Sequence, residues 1–103
     1  MKIFISQPMK GKTEQEILEE RSEIIQRAKE RFSEVEIIDS YRLLKDYSIA
    51  DDEKTSLKFL GESIKALADA DVAYFGKGWE KARGCRIENQ CAMEYGIDMI
   101  EIY

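Results

Sequence analysis

The chain has 103 residues, a net charge of -5, no histidine, two cysteines and one proline. This acidic balance argues against a general binder of nucleic-acid polymers, which needs an extended basic face. The absence of histidine removes Ser-His-Asp and Cys-His catalysis and the usual imidazole metal sites together, so that chemistry must rest on carboxylates, hydroxyls or thiols; separately, no metal or organic cofactor is implied.

The length suits one domain over residues 1–103 with a single core, small enough that self-association into a homo-oligomer would help it. No apolar run approaches the roughly 18 residues that span a bilayer, and the stretch from Met1 to Ile5 is too short for a signal peptide, so a soluble cytoplasmic protein with no membrane partner is expected.

Lys2 to Ser6 has the pattern of a short buried strand, broken by Pro8 and Gly11. Thr13 with Glu16 makes a T-x-x-E capping box. Behind it Ile17, Ile24, Ala28 and Phe32, with Leu18 and Ile25 beside them, form the stripe of a first helix through about residue 32. Residues 35–39 give a second strand, and 40–52 mix aromatic and charged residues without a steady period, as a loop does. Leu57, Leu60, Ile64 and Leu67 mark a second helix over about 56–68, with Gly61 inside it at a cost of roughly 1 kcal/mol relative to Ala, which suggests close packing or ligand access there. A third strand over 71–75, a third helix over 86–95 stopped by Gly96, and a fourth strand over 98–102 complete a βαβαβαβ order. Such alternation implies a three-layer α/β sandwich around a four-stranded parallel sheet, of order 2-1-3-4, with right-handed crossovers. Ligands of these sheets bind beyond the carboxyl ends of the strands.

That rim would gather the loops after strands one, two and three. The third loop is the most informative. Residues 77–86 hold Lys77, Lys81, Arg83 and Arg86 against Glu80 alone, a locally cationic segment in an acidic chain and suited to an anionic small ligand. Glu88 follows in what the pattern places as the first turn of the third helix, where backbone N–H groups and the helix dipole would keep it ionised. Arg83 and Arg86 can pair with Glu80 or Glu88 as readily as with a ligand, and Trp79 can cover the core edge or a subunit interface as readily as stack on a base. Cys85 and Cys91 lie six apart, matching neither a C-x-x-C pair nor zinc spacing, so both are expected to be reduced and mostly packing; a helix start near Cys85 could lower its thiol pKa, but no base accompanies it and a thiol nucleophile is not expected.

The segments from Phe4 to Gly11, from Ala70 to Val72, and from Gly84 to Glu88 with Ala92 and Gly96 together resemble the nucleoside 2-deoxyribosyltransferase-like superfamily, in particular its small bacterial and phage branch. The likeness covers nearly the whole chain and implies a flavodoxin- or Rossmann-like fold. It also implies that Glu88 attacks C1′ of a 2-deoxyribosyl group, releasing the base and leaving a glycosyl ester, an oxocarbenium-like chemistry that a carboxylate can stabilise and capture. The implied ligand is a nucleoside or nucleotide. Its contacts would come from Ser6, Gln7, Pro8, Met9, Lys10, Gly11 and Lys12 after the first strand, from Ser63, and from Gly78, Trp79, Arg83, Gly84 and Arg86 after the third, with Tyr41 as a second stacking candidate.

Two departures stand out. The aspartate that helps protonate the leaving base in the superfamily falls at Ser63, and the position six before the glutamate is Ala82. Asp39 is the better substitute acid, because Asp69 and Asp71 belong to the opposite end of the sheet. The resemblance therefore implies an N-glycosidic hydrolase or transferase. The departures at Ser63 and Ala82 suggest an alternative, a non-catalytic nucleotide-binding or sensing module that keeps the pocket; a third reading is an oligomeric interaction module in which Trp79 and the charged loop are interface.

Overall fold

The computed structural model describes residues 1–38 and 53–103. Strand β1 (Lys2–Ser6) leads to helix α1 (Glu14–Arg31), strand β2 (Glu36–Ile37), helix α2 (Glu53–Leu67), strand β3 (Val72–Phe75), a 3-10 turn (Trp79–Lys81), helix α3 (Arg83–Glu94) and strand β4 (Asp98–Glu101). The four strands form one parallel sheet of order β2-β1-β3-β4, as the alternation of elements requires.

Side-chain alternation along the two central strands builds the layers. Ile3 and Ile5 of β1, with Val72 and Tyr74 of β3, point to one face and meet Ile24 and Ala28 of α1. Phe4, Ala73 and Phe75 point to the other and meet Leu67 of α2 and Ala92 of α3. A helix layer therefore covers each face. Ala73 and Ala92 are both fully buried, and their small side chains let α3 lie close to the sheet.

Boundaries differ from the sequence pattern where local signals are weak. α3 begins at Arg83 rather than Arg86, although its leading residue Ala82 caps nothing with its side chain. Its end is sharply set. Gly96 adopts φ +72, and Ile97 N–H bonds back to the Ala92 carbonyl at 2.9 Å, the six-to-one closure of a Schellman motif. Gly61 is not explained by close packing, since it is exposed and a Cβ there would meet nothing within 4 Å.

The capping box at the head of α1 is fully formed. Thr13 Oγ1 accepts from Glu16 N–H and Glu16 Oε1 accepts from Thr13 N–H, both at 3.1 Å. Thr13→Ala removes one bond of this reciprocal pair and is expected to cost about 1 kcal/mol. A thermal melt should show a midpoint lower by about 4–8 °C for a domain of this size, with Thr13→Ser close to wild type.

Candidate active site

Ser6 is the last residue of β1, at the carboxyl edge of the sheet, and its side chain points to the face covered by α2 and α3. On α3 the residues Cys85, Glu88, Asn89 and Ala92 form the buried stripe. Glu88 sits one turn before Ala92 and is carried inward with it. On α2 the buried positions are Ser63 and Leu67, again one turn apart. The three side chains meet. Ser6 Oγ donates to Glu88 Oε1 at 3.1 Å, and Ser63 Oγ donates to Oε2 at 2.6 Å.

Glu88 is only 7% exposed. Burial pushes its pKa above the ordinary glutamate value, and the hydroxyls of Ser63 and Ser6 oppose that shift. This corrects the expectation of a carboxylate kept ionised by a helix start: with α3 beginning at Arg83, Glu88 lies in the second turn, and its hydrogen bonds come from side-chain hydroxyls. The Cys85 thiol is buried, as a packing residue is, and the helix start does not lower its pKa. Burial pushes it up to about 11, with the Ser6 hydroxyl opposing and the Glu88 charge adding to the rise, so it is a poor nucleophile near neutrality.

Gln7, next in the chain to Ser6, serves the opposite face. Its Nε2 donates to the Ile17 carbonyl of α1 at 3.1 Å, and its Cβ lies 3.3 Å from where a Cβ on Gly76 would stand. Gln7 Nε2 therefore ties β1 to α1, while its Oε1 is buried with no hydrogen-bond partner among the described residues. Beyond it, Pro8 and Met9 are half-buried and Lys10 and Gly11 exposed, and Lys12 N–H closes a turn onto the Met9 carbonyl at 3.2 Å. Gly11 and Gly78 both take positive φ, +79 and +86, which other residues rarely adopt. Pro8 Cγ lies 3.7 Å from a Cβ position on Gly78, so the loops after β1 and β3 touch at the rim.

The cations divide. Lys12 Nζ is 2.8 Å from both carboxylate oxygens of Glu20, Arg83 pairs with Glu53 at 2.9 Å, and Arg86 Nη1 donates to the Glu80 carbonyl at 3.3 Å. Neither arginine therefore takes Glu88 as its partner. Lys10, Lys77 and Lys81 are exposed. Trp79 packs on Phe75 with centroids 5.8 Å apart and meets Tyr103 edge-on at 6.2 Å, so it closes the core beneath the third loop. Gly84, the second residue of α3, has open space where a Cβ would stand. Asp71 accepts from Lys2 N–H at 2.7 Å, at the amino end of the sheet and away from this rim. Asp39 and Tyr41 lie outside the described residues.

Buried polar residues outside the sequence pattern are Arg21, which donates to the Ile38 carbonyl at 3.4 Å, and Asn89, which donates to Glu101 Oε2 at 3.0 Å. A charged residue on the stripe of Ile17, Ile24 and Ala28 was the available signal for Arg21; Asn89 left none. Two surface grooves among the described residues, one lined by Glu14, Leu18 and Ser22 and the other by Arg27, Tyr74 and Ile102, do not include Glu88. Among the described residues no helix is long and apolar enough to cross a membrane, and no group of three or more His, Cys, Asp or Glu is placed to hold a metal ion. Comparison with family models, curated proteins and solved structures finds no significant match.

A carboxyl whose folded pKa lies above its unfolded value contributes its full stability below the unfolded value and loses it as pH rises through the folded one. Wild-type protein should therefore lose stability relative to Glu88→Gln as pH is raised from below 4.5, the ordinary glutamate value, to neutrality. Urea midpoints measured at closely spaced pH would check this; parallel curves would contradict the raised pKa.

Proposed function

We propose that the protein breaks the N-glycosidic bond of a 2′-deoxynucleoside or its 5′-monophosphate, as a hydrolase or transferase, with Glu88 as the nucleophile. The observation that carries this reading is the Glu88 carboxylate itself, withdrawn from solvent at the carboxyl edge of a parallel sheet with a serine hydroxyl on each oxygen. Perturbed carboxyls in such places belong disproportionately to active sites. Chemistry makes the case specific. Cleavage at C1′ builds positive charge on the sugar, and a desolvated carboxylate opposes that charge more strongly than one in water. Burial also raises the basicity of Glu88, which favours bond formation to carbon.

The resemblance to the nucleoside 2-deoxyribosyltransferase-like superfamily supports the same assignment, because Glu88 stands at the position of its nucleophile. The exposed lysines Lys10, Lys77 and Lys81 supply charge for a phosphate at the rim, while Lys12, Arg83 and Arg86 would have to leave their present partners to do so. A homo-oligomer in the cytoplasm is the setting this reading expects.

One observation favours a second reading, a nucleotide-binding module without turnover. Ser63 occupies the position of the superfamily's proton donor and gives its own hydroxyl proton to Glu88. The two readings part on a single assay. Incubation with a panel of deoxynucleosides and their 5′-monophosphates should release free base, and Glu88→Ala should reduce release to background. The acid limb of kcat/KM against pH should lie above the ordinary carboxylate range, since the nucleophile must be ionised and burial raises its pKa. Calorimetric binding of a nucleotide with no base released would establish the binding module instead.

A further inference from the structure

The two bonds on Glu88 are unequal in length and in position. The Ser63 bond, at 2.6 Å, falls in the range of strong charge-assisted O–H···O bonds, whereas the Ser6 bond, at 3.1 Å, lies beyond the usual limit for hydroxyl donors. Ser63 comes from the interior of α2, one turn before the core residue Leu67. Ser6 stands where β1 gives way to the rim loop. The oxygen on the Ser6 side thus lies toward the carboxyl edge of the sheet, where ligands of parallel sheets bind.

From this geometry we infer that Oε1 of Glu88, the oxygen held by Ser6, is the one that attacks the sugar, while Ser63 is a positioning residue that holds the carboxylate through Oε2 for the whole reaction. The inference rests on the glycosidase reading above. In the first step the C1′–Oε1 bond forms as the C1′–N bond breaks; the base leaves with the bonding pair and takes a proton from solvent water. Ser6 releases Oε1, which becomes the sugar-bearing oxygen of an ester and a poor acceptor. Oε2 becomes the ester carbonyl oxygen, a good acceptor, and keeps the Ser63 bond. In the second step a water oxygen bonds to C1′, the C1′–Oε1 pair returns to Oε1, and the proton of that water passes to solvent. The strong bond therefore sits on the oxygen that accepts in both states, and the weak bond on the oxygen that must be freed.

The test compares Ser63→Ala, Ser63→Thr and Ser6→Ala in base release, with circular dichroism to verify folding. Ser63→Ala is expected to lower kcat about 10- to 100-fold, because the carboxylate is no longer held in the orientation for attack, with KM within about twofold, and to move the acid limb of the pH profile upward. Ser63→Thr, which retains a hydroxyl, should recover most of the rate. Ser6→Ala should cost less than about fivefold, since the weaker bond is given up in the reaction. Equal losses in Ser6→Ala and Ser63→Ala, or no recovery in Ser63→Thr, would overturn the division between the two hydroxyls while leaving Glu88 as nucleophile. A readout independent of turnover is a carbon-13 NMR titration of the Glu88 carboxyl, whose midpoint should rise more on loss of Ser63 than of Ser6; the reverse order also overturns the inference. Absence of base release by the wild-type protein from every substrate sinks the glycosidase reading itself, and this inference with it.

Discussion

The contact among Ser6, Glu88 and Ser63 joins the end of a central strand to the two helices that cover one face of the sheet. A carboxylate taken out of water costs several kcal/mol, and a hydrogen bond to a charged group returns roughly 1.5–3 kcal/mol. Two hydroxyls offset much of that cost without cancelling it, which is why desolvation remains the largest influence on Glu88 and its pKa moves up rather than down. By contrast, the Arg83–Glu53 pair that also links α2 to α3 is exposed on both sides, where such pairs contribute about 0–1 kcal/mol. The relative placement of α2 and α3 thus depends far more on the buried polar contact and the apolar layer below it than on the surface ion pair.

Packing explains how the carboxylate reaches the strand at all. Ala73 on the sheet and Ala92 on α3 are fully buried, and larger side chains at either place would hold the helix away. Glu88 and Cys85 follow from Ala92 at helical spacing on the same face, so the approach that closes the core also delivers them to the end of β1. Asn89 adds a tie from α3 to Glu101 of β4, on the outer side of the sheet. The site is therefore a by-product of small residues in the core, and its geometry is as rigid as that packing.

Much of the fold was legible because its signals are periodic. The alternation of short apolar strands with helices, the T-x-x-E box and the glycine at position 96 each dictate a structure by local chemistry, and the sheet order follows from topology. The start of α3 was less legible because Ala82 offers no capping side chain, so nothing in the residue types marks where the helix begins. That three-residue difference has chemical consequences. It moves Glu88 from an expected first turn, where backbone N–H groups would ionise it, to a second turn where burial acts against its charge. Ser63 was noticed for lacking a carboxyl group, yet its bond to Glu88 depends on how α2 docks, a long-range fact that spacing does not encode. The same holds for Lys12, whose pairing with Glu20 became visible only once the rim loop and α1 were placed together.

Ser6 and Gln7 show how tightly site and core are bound to one register. Successive side chains of a strand face opposite ways, and Ile3 and Ile5 must meet α1 while Phe4 must meet α2 and α3. Continuing that alternation puts Ser6 with Glu88 and Gln7 with the Ile17 carbonyl, as their hydrogen bonds require. A slip of one residue would bury Phe4 against α1, strand Ile3 and Ile5 on the wrong side, and present an amide to the carboxylate in place of a hydroxyl. The pairing of Ser6 with Phe75 at the end of the β1–β3 ladder excludes it. Glu88 therefore receives its hydroxyl partner through the same choice of faces that buries Ile3, Phe4 and Ile5, three of the largest fully buried side chains among the described residues, so that any sequence change shifting β1 would disturb the carboxylate and the core together.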